Sequence, residues 1–427
     1  MLDLKWVREH PEEVKRAAAR KRIAVDVDAF LELERRQREA LTRAEELRAA
    51  LRAGAERLGQ LPAELRAEAL ARQQQLKAEV KELEPQVAAL TAELRALSLR
   101  LPMPPAPEVP DGRDDRDNVE LKRVGEPPRL AFPARSHVEL GEKLGIVDIA
   151  RGVKLAGSRN YLLLGDGALL EQAVLQLALS HMRARGFELC SVPTLVNRAW
   201  MEGTGYFPGG EEQAYACERD DQYLVGTSEV SLTSIHAGEV LDARDLPVRR
   251  IGLTPCYRRE AGTYGKDTKG LYRVHQFWKV EQVVVGPADE AWSREEHLRM
   301  LGHATDFLDL LELPYRVVNV CSGDLGQGQV QKFDVETWMP SRGGYGETHS
   351  ASRFHDFQAR RLELRYKPRD GGKPRYCHTL NNTVIASPRV LIAILENFQQ
   401  ADGSVRVPPP LRAALGKDVL APPGGAG

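Results

Sequence analysis

Residues 255–285, PCYRREAGTYGKDTKGLYRVHQFWKVEQVVV, carry charged and aromatic side chains in two runs that resemble strands around a polar loop. Because side chains alternate between the two faces of a strand, Arg259 is predicted to point away from its neighbours. The surface that the two strands share is then predicted to carry Arg258, Glu260, Phe277, Lys279 and Glu281. A guanidinium grips phosphate, carboxylates accept hydrogen bonds from an ammonium group, and a ring stacks on a base. The segment therefore suits a ligand that combines phosphate, amine and purine.

An ordinary surface hairpin with alternating charges is the alternative. The spacing of these residues alone does not separate it from a binding site. Whether the segment does chemistry depends on which other segments the fold brings beside it.

From residue 120 onward the sequence alternates between helix-like and strand-like patterns, which is typical of a domain that contains both α-helices and β-strands. Helix-like runs at 168–185 and 289–312 alternate with strand-like runs at 276–285 and 316–320. This pattern predicts one mixed α and β domain over residues 119–427.

The N-terminal region has a different composition. Residues 1–27 predict a short amphipathic helix and a connector, and residues 28–101 are rich in Ala, Leu, Glu, Arg and Gln, which is typical of long helices. A heptad seam, with steps of four and three, is formed by Leu76, Val80, Leu83, Val87, Leu90, Leu94, Leu97 and Leu101. A weaker seam is formed by Leu33, Gln37, Ala40, Ala44, Leu47, Leu51, Gly54 and Leu58.

Gly59 and Pro62 interrupt the pattern between the two seams. The pattern therefore predicts an antiparallel coiled-coil hairpin inside an N-terminal domain of residues 1–101. Residues 102–118, PMPPAPEVPDGRDDRDN, predict a linker. Periodicity alone leaves open whether the hairpin is a generic spacer, a dimerisation element or a binding arm.

Composition excludes several classes of protein. The 427 residues have a formal net charge of −1, so any nucleic-acid binding needs a local basic patch. No apolar run is long enough to span a membrane, and the charged N-terminus lacks the apolar core of a signal peptide. Five scattered cysteines disfavour a disulfide framework, and we expect a cytoplasmic protein.

Several stretches, in order along the chain, resemble class II aminoacyl-tRNA synthetases of the bacterial seryl-tRNA synthetase type. They are GFELCSVPTLVN (186–197) for motif 1, GTSEV (226–230) for the serine-binding signature, residues 255–285 for motif 2, ETHSASRFHDFQARR (347–361) for the segment that binds ATP and metal, and HTLNNTVIASPRVLIAILENFQ (378–399) for motif 3. The N-terminal hairpin is similar to the tRNA-binding arm of that family.

The resemblance implies roles by position. Serine binding falls to Thr227, Ser228, Glu229, Arg258, Glu281, Asn381 and Thr383. ATP binding falls to Arg258, Arg259, Glu260, Val274, Phe277, Glu347, Thr348, His349, Ser350 and Arg389. Catalysis is implied for Arg258, Glu347 and Arg389, and Mg²⁺ binding for Glu347 and Ser350.

Three places depart from the commonest family pattern. Position 259 is Arg where many members have Ser, residues 347–350 read Glu-Thr-His-Ser where many read Glu-Ile-Ser-Ser, and residues 382–384 read Asn-Thr-Val where many read Gly-Ser-Gly. Thr383 keeps a hydroxyl, whereas His349 could alter the metal contacts. Similar forms occur in the Thermus–Deinococcus branch, so we interpret them as lineage variants.

The resemblance implies an α+β fold in which an antiparallel class II sheet is flanked by helices and preceded by the coiled-coil hairpin. The implied activity is ATP-dependent formation of seryl-adenylate from L-serine and its transfer to tRNA(Ser), with tRNA(Sec) as a further substrate. The implied assembly is a homodimer through motif 1, away from any membrane.

Two other functions belong to related proteins. An enzyme that loads an amino acid onto a carrier protein is disfavoured, because such homologues typically lack the long arm; charging assays with tRNA and carrier protein would separate the two. A non-catalytic paralogue is disfavoured by the presence of Arg258, Glu260, Glu281, Glu347, Ser350 and Arg389. ATP binding without pyrophosphate exchange would favour it.

Overall fold

The structure, a computed structural model, describes residues 1–58, 62–262, 265 and 269–423. The chain forms two compact units, Met1–Pro104 and Pro105–Gly427. The boundary between them lies inside the segment 102–118 that the sequence predicts as a linker. None of the described helices combines the length and the apolar character that crossing a membrane requires.

The first unit is helical. Its helices are α1 (Leu4–Glu9), α2 (Pro11–Arg20), α3 (Val27–Leu58) and α4 (Ala63–Ser98). The prediction of one short helix within residues 1–27 is wrong, because α1 ends before Pro11 and α2 begins there. Proline lacks the backbone donor and disfavours helical geometry in the residue before it.

Helices α3 and α4 pair as an antiparallel hairpin, as the heptad seams predict. Polar contacts join them along their length: the Gln37 amide donates to the Thr91 hydroxyl at 3.2 Å, and Arg48 pairs with Glu84 at 2.8 Å. At 1.5 Å per residue, the 32 residues of α3 extend about 48 Å. The predicted breaker Gly59 lies outside the described residues.

The base of the hairpin packs against α1 and α2. Buried apolar side chains join these elements in one cluster: Leu2, Val7, Val14, Val27, Phe30, Leu33, Leu94 and Leu101. Beyond this cluster, Ala44 and Leu47 of α3 and Leu76 of α4 are also buried in the hairpin.

The second unit combines helices with several sheets. Its helices are α5 (His137–Leu144), α6 (Ile149–Ala156), α7 (Asp166–Arg183), α8 (Arg198–Thr204), α9 (Glu229–Ser234), α10 (Glu290–Leu310), α11 (Phe357–Leu362), α12 (Ser387–Asn397) and α13 (Pro409–Leu415). Its strands are β1 (Val119–Val124), β2 (Val147–Asp148), β3 (Leu162–Leu163), β4 (Glu188–Cys190), β5 (Leu195–Asn197), β6 (Tyr215–Cys217), β7 (Gln222–Leu224), β8 (Val240–Asp242), β9 (Val248–Tyr257), β10 (Gln276–Gly286), β11 (Tyr315–Asn319), β12 (Gln331–Met339), β13 (Gly344–Arg353), β14 (Arg365–Lys367), β15 (Arg375–Tyr376), β16 (His378–Ala386), β17 (Val405–Arg406) and β18 (Val419–Leu420).

One large sheet organises this unit. Within the described residues it has eight strands in the order β1-β11-β12-β13-β16-β10-β9-β4. Neighbouring strands run antiparallel except β4, which pairs with β9 in parallel at one edge. The predicted antiparallel sheet is confirmed.

One face of the large sheet is covered by helices. Apolar strand residues such as Val280 and Val284 pack there with residues of α7, α10 and α12, including Val174, Met300 and Ile392. Because strand side chains alternate, the residues between them face the other way and are free to carry polar groups. That second face carries the site.

Residues 105–118 belong to the second unit. Ala106 and Val109 are buried, the Ala106 N–H donates to the Val330 carbonyl at 2.9 Å, and the Asn319 amide donates to the Glu108 carbonyl at 2.9 Å. This part of the predicted linker is therefore a packed segment, because its backbone groups have partners in the unit.

Candidate active site

A cavity of about 270 Å³ opens on the polar face of the large sheet. It lies where β9, β10, β13 and β16 adjoin, so strands distant in sequence contribute to one wall. The predicted site residues on that wall are Glu229, Arg258, Glu260, Val274, Phe277, Glu281, Glu347, Thr348, His349, Ser350, Asn381, Thr383 and Arg389.

An irregular pairing of β10 and β16 forms one part of the wall. Val280 pairs with Ile385 and Glu281 pairs with Thr383, which leaves Val384 without a partner in that ladder. This β-bulge brings the Thr383 hydroxyl to the Glu281 carboxylate, to which it donates at 3.3 Å. Glu281 also forms an ion pair with Lys279, and both are almost completely buried.

A second buried carboxylate, Glu229, faces the same region. The Tyr206 hydroxyl donates to Glu229 Oε2 at 2.8 Å. Burial, followed by the nearby Glu281 carboxylate, raises the pKa of Glu229 to about 7. Lys279 pairs with Glu281, and its charge also acts on Glu229. Two acidic groups that share the ammonium of Lys279 make this region suited to a second, substrate-borne ammonium group.

Arg258 lies beside the aromatic ring of Phe277. Its guanidinium is 5.3 Å from the ring centroid, and its Nε donates to the Gly226 carbonyl at 3.4 Å. Its positive charge favours the ionised form of both Tyr206 and Glu347. Arg258 is therefore placed to meet an anionic group that lies between the acidic pair and Glu347.

The predicted strand geometry of residues 258–260 is wrong, because β9 ends at Tyr257. Glu260 has φ of 51°, in the left-handed region, which a continuing strand does not adopt. Glu260 still reaches the wall, and Arg273 contacts its carboxylate at 3.4 Å. The alternation of Phe277, Lys279 and Glu281 on β10 does hold, since all three line the cavity.

Glu347 and Arg389 form another charged pair. The Arg389 guanidinium donates to the Glu347 carbonyl at 2.8 Å, lies 3.2 Å from the Glu347 carboxylate, and stacks on Tyr272 at 4.5 Å. Desolvation opposes the charge of Glu347, but Arg389, Lys332 and Arg258 outweigh it and lower the pKa of this carboxyl. Glu347 is thus held as a carboxylate, which suits a hard cation.

A second β-bulge brings Glu347 and Ser350 to the same face. Val335 of β12 pairs with His349 and Glu336 pairs with Glu347, so Thr348 is the extra residue. Without such an insertion, residues three apart on a strand face in opposite directions.

His349 is tied to the protein by both ring nitrogens. Its Nε2 donates to the Val384 carbonyl at 3.0 Å, and its Nδ1 lies 2.8 Å from the Thr348 hydroxyl. Burial lowers the pKa of His349 to about 4, so the ring is neutral near pH 7. Neither ring nitrogen is therefore free to bind a metal, and the structure does not support the expectation that His349 alters the metal contacts.

Three predicted residues do not reach the wall. Thr227 and Ser228 are buried behind it: the Thr227 hydroxyl accepts the Glu229 N–H at 3.2 Å, and the Ser228 hydroxyl contacts the Gly252 carbonyl at 3.4 Å. Arg259 is anchored by its N–H, which donates to the Gln213 carbonyl at 2.9 Å. In this conformation these residues shape the segments that carry Glu229 and Arg258.

The cavity wall also contains residues for which the sequence predicts no role, chiefly Tyr206, Tyr272 and residues 326–329. Tyr272 can be predicted from the sequence as a site residue, since it belongs to the same segment as Val274 and Phe277. The glycines in Gly-Gln-Gly-Gln (326–329) were a weak signal of a loop beside a ligand. Tyr206 had no signal in its own neighbourhood.

Comparison with known proteins gives a consistent family. Residues 1–105 match the family model described as the seryl-tRNA synthetase N-terminal domain, and residues 215–398 match the tRNA synthetase class II core domain (G, H, P, S and T). The serine–tRNA ligase of Deinococcus radiodurans is 46% identical over 424 residues, covering 99% of this chain and 100% of that protein. The chain belongs to the seryl-tRNA synthetase family.

Other relatives agree with this assignment. The serine–tRNA ligase of Thermobifida fusca is 46% identical over 424 residues and covers 99% of each chain. The seryl-tRNA synthetase of Pyrococcus horikoshii, solved in complex with ATP, has a TM-score of 0.92 at 39% identity and covers 99% of this chain and 100% of that one. As a seryl-tRNA synthetase family member, the chain is a class II aminoacyl-tRNA synthetase, and the predicted family, fold class and enzyme class are confirmed.

Proposed function

We propose that the cavity binds L-serine and ATP together and joins them as seryl-adenylate, which then charges tRNA(Ser). The observation that carries this proposal is the convergence of Glu229, Glu281, Arg258, Glu347 and Arg389 on one cavity wall. Glu229 would accept hydrogen bonds from the serine ammonium group. Glu281 and Thr383 would bind the serine hydroxyl.

Serine-dependent exchange of pyrophosphate into ATP tests the proposal directly. We expect rapid exchange with L-serine and little with alanine. Alanine lacks the hydroxyl, so the buried polar groups of Glu281 and Thr383 would have no hydrogen-bond partner on it. Threonine and glycine complete the panel. Exchange that is equal for all four amino acids, or absent with serine, would contradict the proposal.

The chemistry needs positioning and charge stabilisation. The serine carboxylate attacks the α-phosphorus of ATP and pyrophosphate leaves; the terminal ribose hydroxyl of tRNA then attacks the mixed anhydride and AMP leaves. Neither step needs a protein nucleophile. Arg258 would hold the serine carboxylate or the α-phosphate, and Arg389 would hold the phosphates that leave.

Glu347 and Ser350 would hold Mg²⁺ together with phosphate oxygens. They share a face, and Asp334, opposite Ser350 on β12, has a buried Oδ1 without a hydrogen-bond partner in the described part of the chain. Among described residues no group of three or more His, Cys, Asp or Glu side chains could hold a metal, so phosphate oxygens and water would have to supply most of the ligands of the ion. Bound there, the ion would neutralise charge on the phosphate oxygens.

Phe277 would stack on adenine, with Val274 beside it and Glu260 near the adenine amino group. Replacing Phe277 with alanine should raise the KM for ATP about tenfold, because stacking of a base on a ring contributes roughly 1–3 kcal/mol. The KM for serine should change little. Phe277→Tyr keeps the ring and serves as the control; equal ATP affinity in the alanine and tyrosine variants would remove Phe277 from the adenine site.

The hairpin would bind the long variable arm of tRNA(Ser) by shape and backbone contacts. The same surface would serve tRNA(Sec) in a host that makes it. A cytoplasmic location accords with the five cysteines, which are all free thiols.

We propose a homodimer that forms through motif 1. Strand β4 lies at the edge of the large sheet, and motif 1 carries the exposed apolar side chains of Leu189 and Leu195. Further exposed apolar side chains nearby in the sequence are Val153, Leu155, Leu164 and Leu169. An exposed strand edge with apolar flanks favours pairing with a second copy.

Leu189→Arg should shift the protein from dimer to monomer, because it places a charge at the proposed interface. Light scattering after size exclusion would measure the mass. Leu298→Arg is a matched control, since Leu298 is equally exposed but lies on α10. A dimer in both variants, or a monomer in the unmodified chain, would contradict this interface.

A further inference from the structure

Gln358 lies behind the cavity wall, next to Glu229. It is the second residue of α11 and is 1% exposed. Its Nε2 donates to Glu229 Oε1 at 2.8 Å and to the Thr204 carbonyl at 3.0 Å. A fully buried amide that donates to a cavity carboxylate, without lining the cavity itself, is placed to act through that carboxylate.

Thr379 fixes the orientation of this amide. Its hydroxyl donates to Gln358 Oε1 at 2.6 Å. In the reversed orientation, the amide oxygen would face two acceptors, the Glu229 carboxylate and the Thr204 carbonyl. The observed orientation satisfies every group, so the donor end of Gln358 is directed at Glu229.

Glu229 thereby has a donor on each oxygen, Gln358 on Oε1 and Tyr206 on Oε2. The charged groups that act on it are Glu281 and Lys279, and Arg258 acts on its partner Tyr206. Burial and Glu281 favour the neutral acid, whereas the hydrogen bonds from Tyr206 and Gln358 and the charge of Lys279 favour the carboxylate. Removing the hydrogen bond from Gln358 would therefore shift Glu229 toward the neutral acid.

We propose that Gln358 is a positioning residue that, oriented by Thr379, holds Glu229 as an aligned carboxylate acceptor for the substrate's ammonium group. This inference rests on the proposed function, in which Glu229 binds the serine amine. It assigns Gln358 a role in serine binding although Gln358 touches no substrate.

Gln358→Leu tests the proposal. We expect the KM for serine in pyrophosphate exchange to rise about tenfold or more near pH 7, since a hydrogen bond to a charged group is lost. The KM for ATP should stay within about twofold, because the adenine and phosphate residues are untouched.

The pH profile separates this role from a general loss of structure. The pKa of Glu229 is already raised, so serine use falls as the pH drops through that pKa. Without the Gln358 donor the pKa rises further, and the acid limb of kcat/KM for serine should move to higher pH. Raising the pH should restore part of the lost affinity for serine.

Two further variants complete the experiment. Thr379→Val removes only the hydrogen bond that orients the amide, and should change the serine KM and the acid limb in the same direction by roughly threefold. Gln399→Leu is the matched control: Gln399 is 2% exposed and also makes three hydrogen bonds, to Arg135 and Glu396, but lies beyond the end of α12 and away from the cavity. It should lower thermal stability without changing the serine KM or the pH profile.

The outcomes separate the inference from the proposed function. Absence of serine-dependent exchange in the unmodified chain overturns both. Normal exchange in the unmodified chain, with an unchanged serine KM and acid limb in the Gln358→Leu variant, overturns the role of Gln358 alone. If Gln358→Leu does not fold, Thr379→Val decides by the same two measurements.

Discussion

Replacing Glu281 with alanine should reduce kcat/KM for serine in pyrophosphate exchange by about a thousandfold or more. The carboxylate is 2% exposed, accepts the Thr383 hydroxyl and pairs with Lys279. Its loss removes the proposed partner of the serine hydroxyl and leaves Lys279 as an unpaired buried charge, which costs about 3–5 kcal/mol in comparable sites. Discrimination against alanine should fall with it, because a site that pairs with a substrate hydroxyl can reject the analogue without it by about 10⁴-fold.

Glu296→Ala is the matched control for this variant. Glu296 is equally buried and also ion-paired, to Arg249 at 2.8 Å and Arg299 at 2.7 Å, but it lies on α10 outside the cavity. Both variants should lose thermal stability, and only Glu281→Ala should lose serine-dependent exchange. Near-normal exchange in Glu281→Ala would show that the serine site has been assigned wrongly.

Shortening the hairpin should abolish tRNA charging and leave adenylate formation intact. Deletion of residues 30–98 would remove nearly the whole hairpin but also Phe30, Leu33 and Leu94 from the buried cluster of the first unit. Removing residues 41–87 and joining Ala40 to Ala88 by a short Gly-Ser turn keeps that cluster, and the joint lies just beyond the contact of Gln37 with Thr91.

For the shortened protein we expect serine-dependent exchange within about twofold of normal and charging of tRNA(Ser) reduced by about a thousandfold, because many phosphate and shape contacts would be lost together. Far-ultraviolet circular dichroism should show the remaining helices. Charging that survives the truncation would exclude the hairpin as the main tRNA-binding element.

The sequence predicts most of the architecture because its periodic patterns are long. The heptad seams place the hairpin within a few residues of the observed α3 and α4. Simple alternation also places Phe277, Lys279 and Glu281 on one face of β10, as the structure has them.

The remaining geometry depends on departures from periodicity. Alternation would set Glu347 and Ser350 on opposite faces, and only the extra residue at Thr348 brings them together. Glu260 reaches the cavity because its backbone leaves the strand conformation. Tyr206 and Gln358 reach Glu229 from α8's end and from α11, through contacts that no local pattern encodes.

The hydrogen bond between His349 and Val384 links the two bulges that build this cavity. Val384 has no ladder partner in β10, and the imidazole of His349, on the neighbouring strand β13, donates a hydrogen bond to the Val384 carbonyl. A serine at position 349, as in many family members, is too short to span that gap. Because the acceptor is a backbone carbonyl, this link depends on the imidazole at position 349 and not on the side chain at position 384. A single substitution, His349→Ser, would therefore remove the donor that supports the β16 backbone next to Thr383.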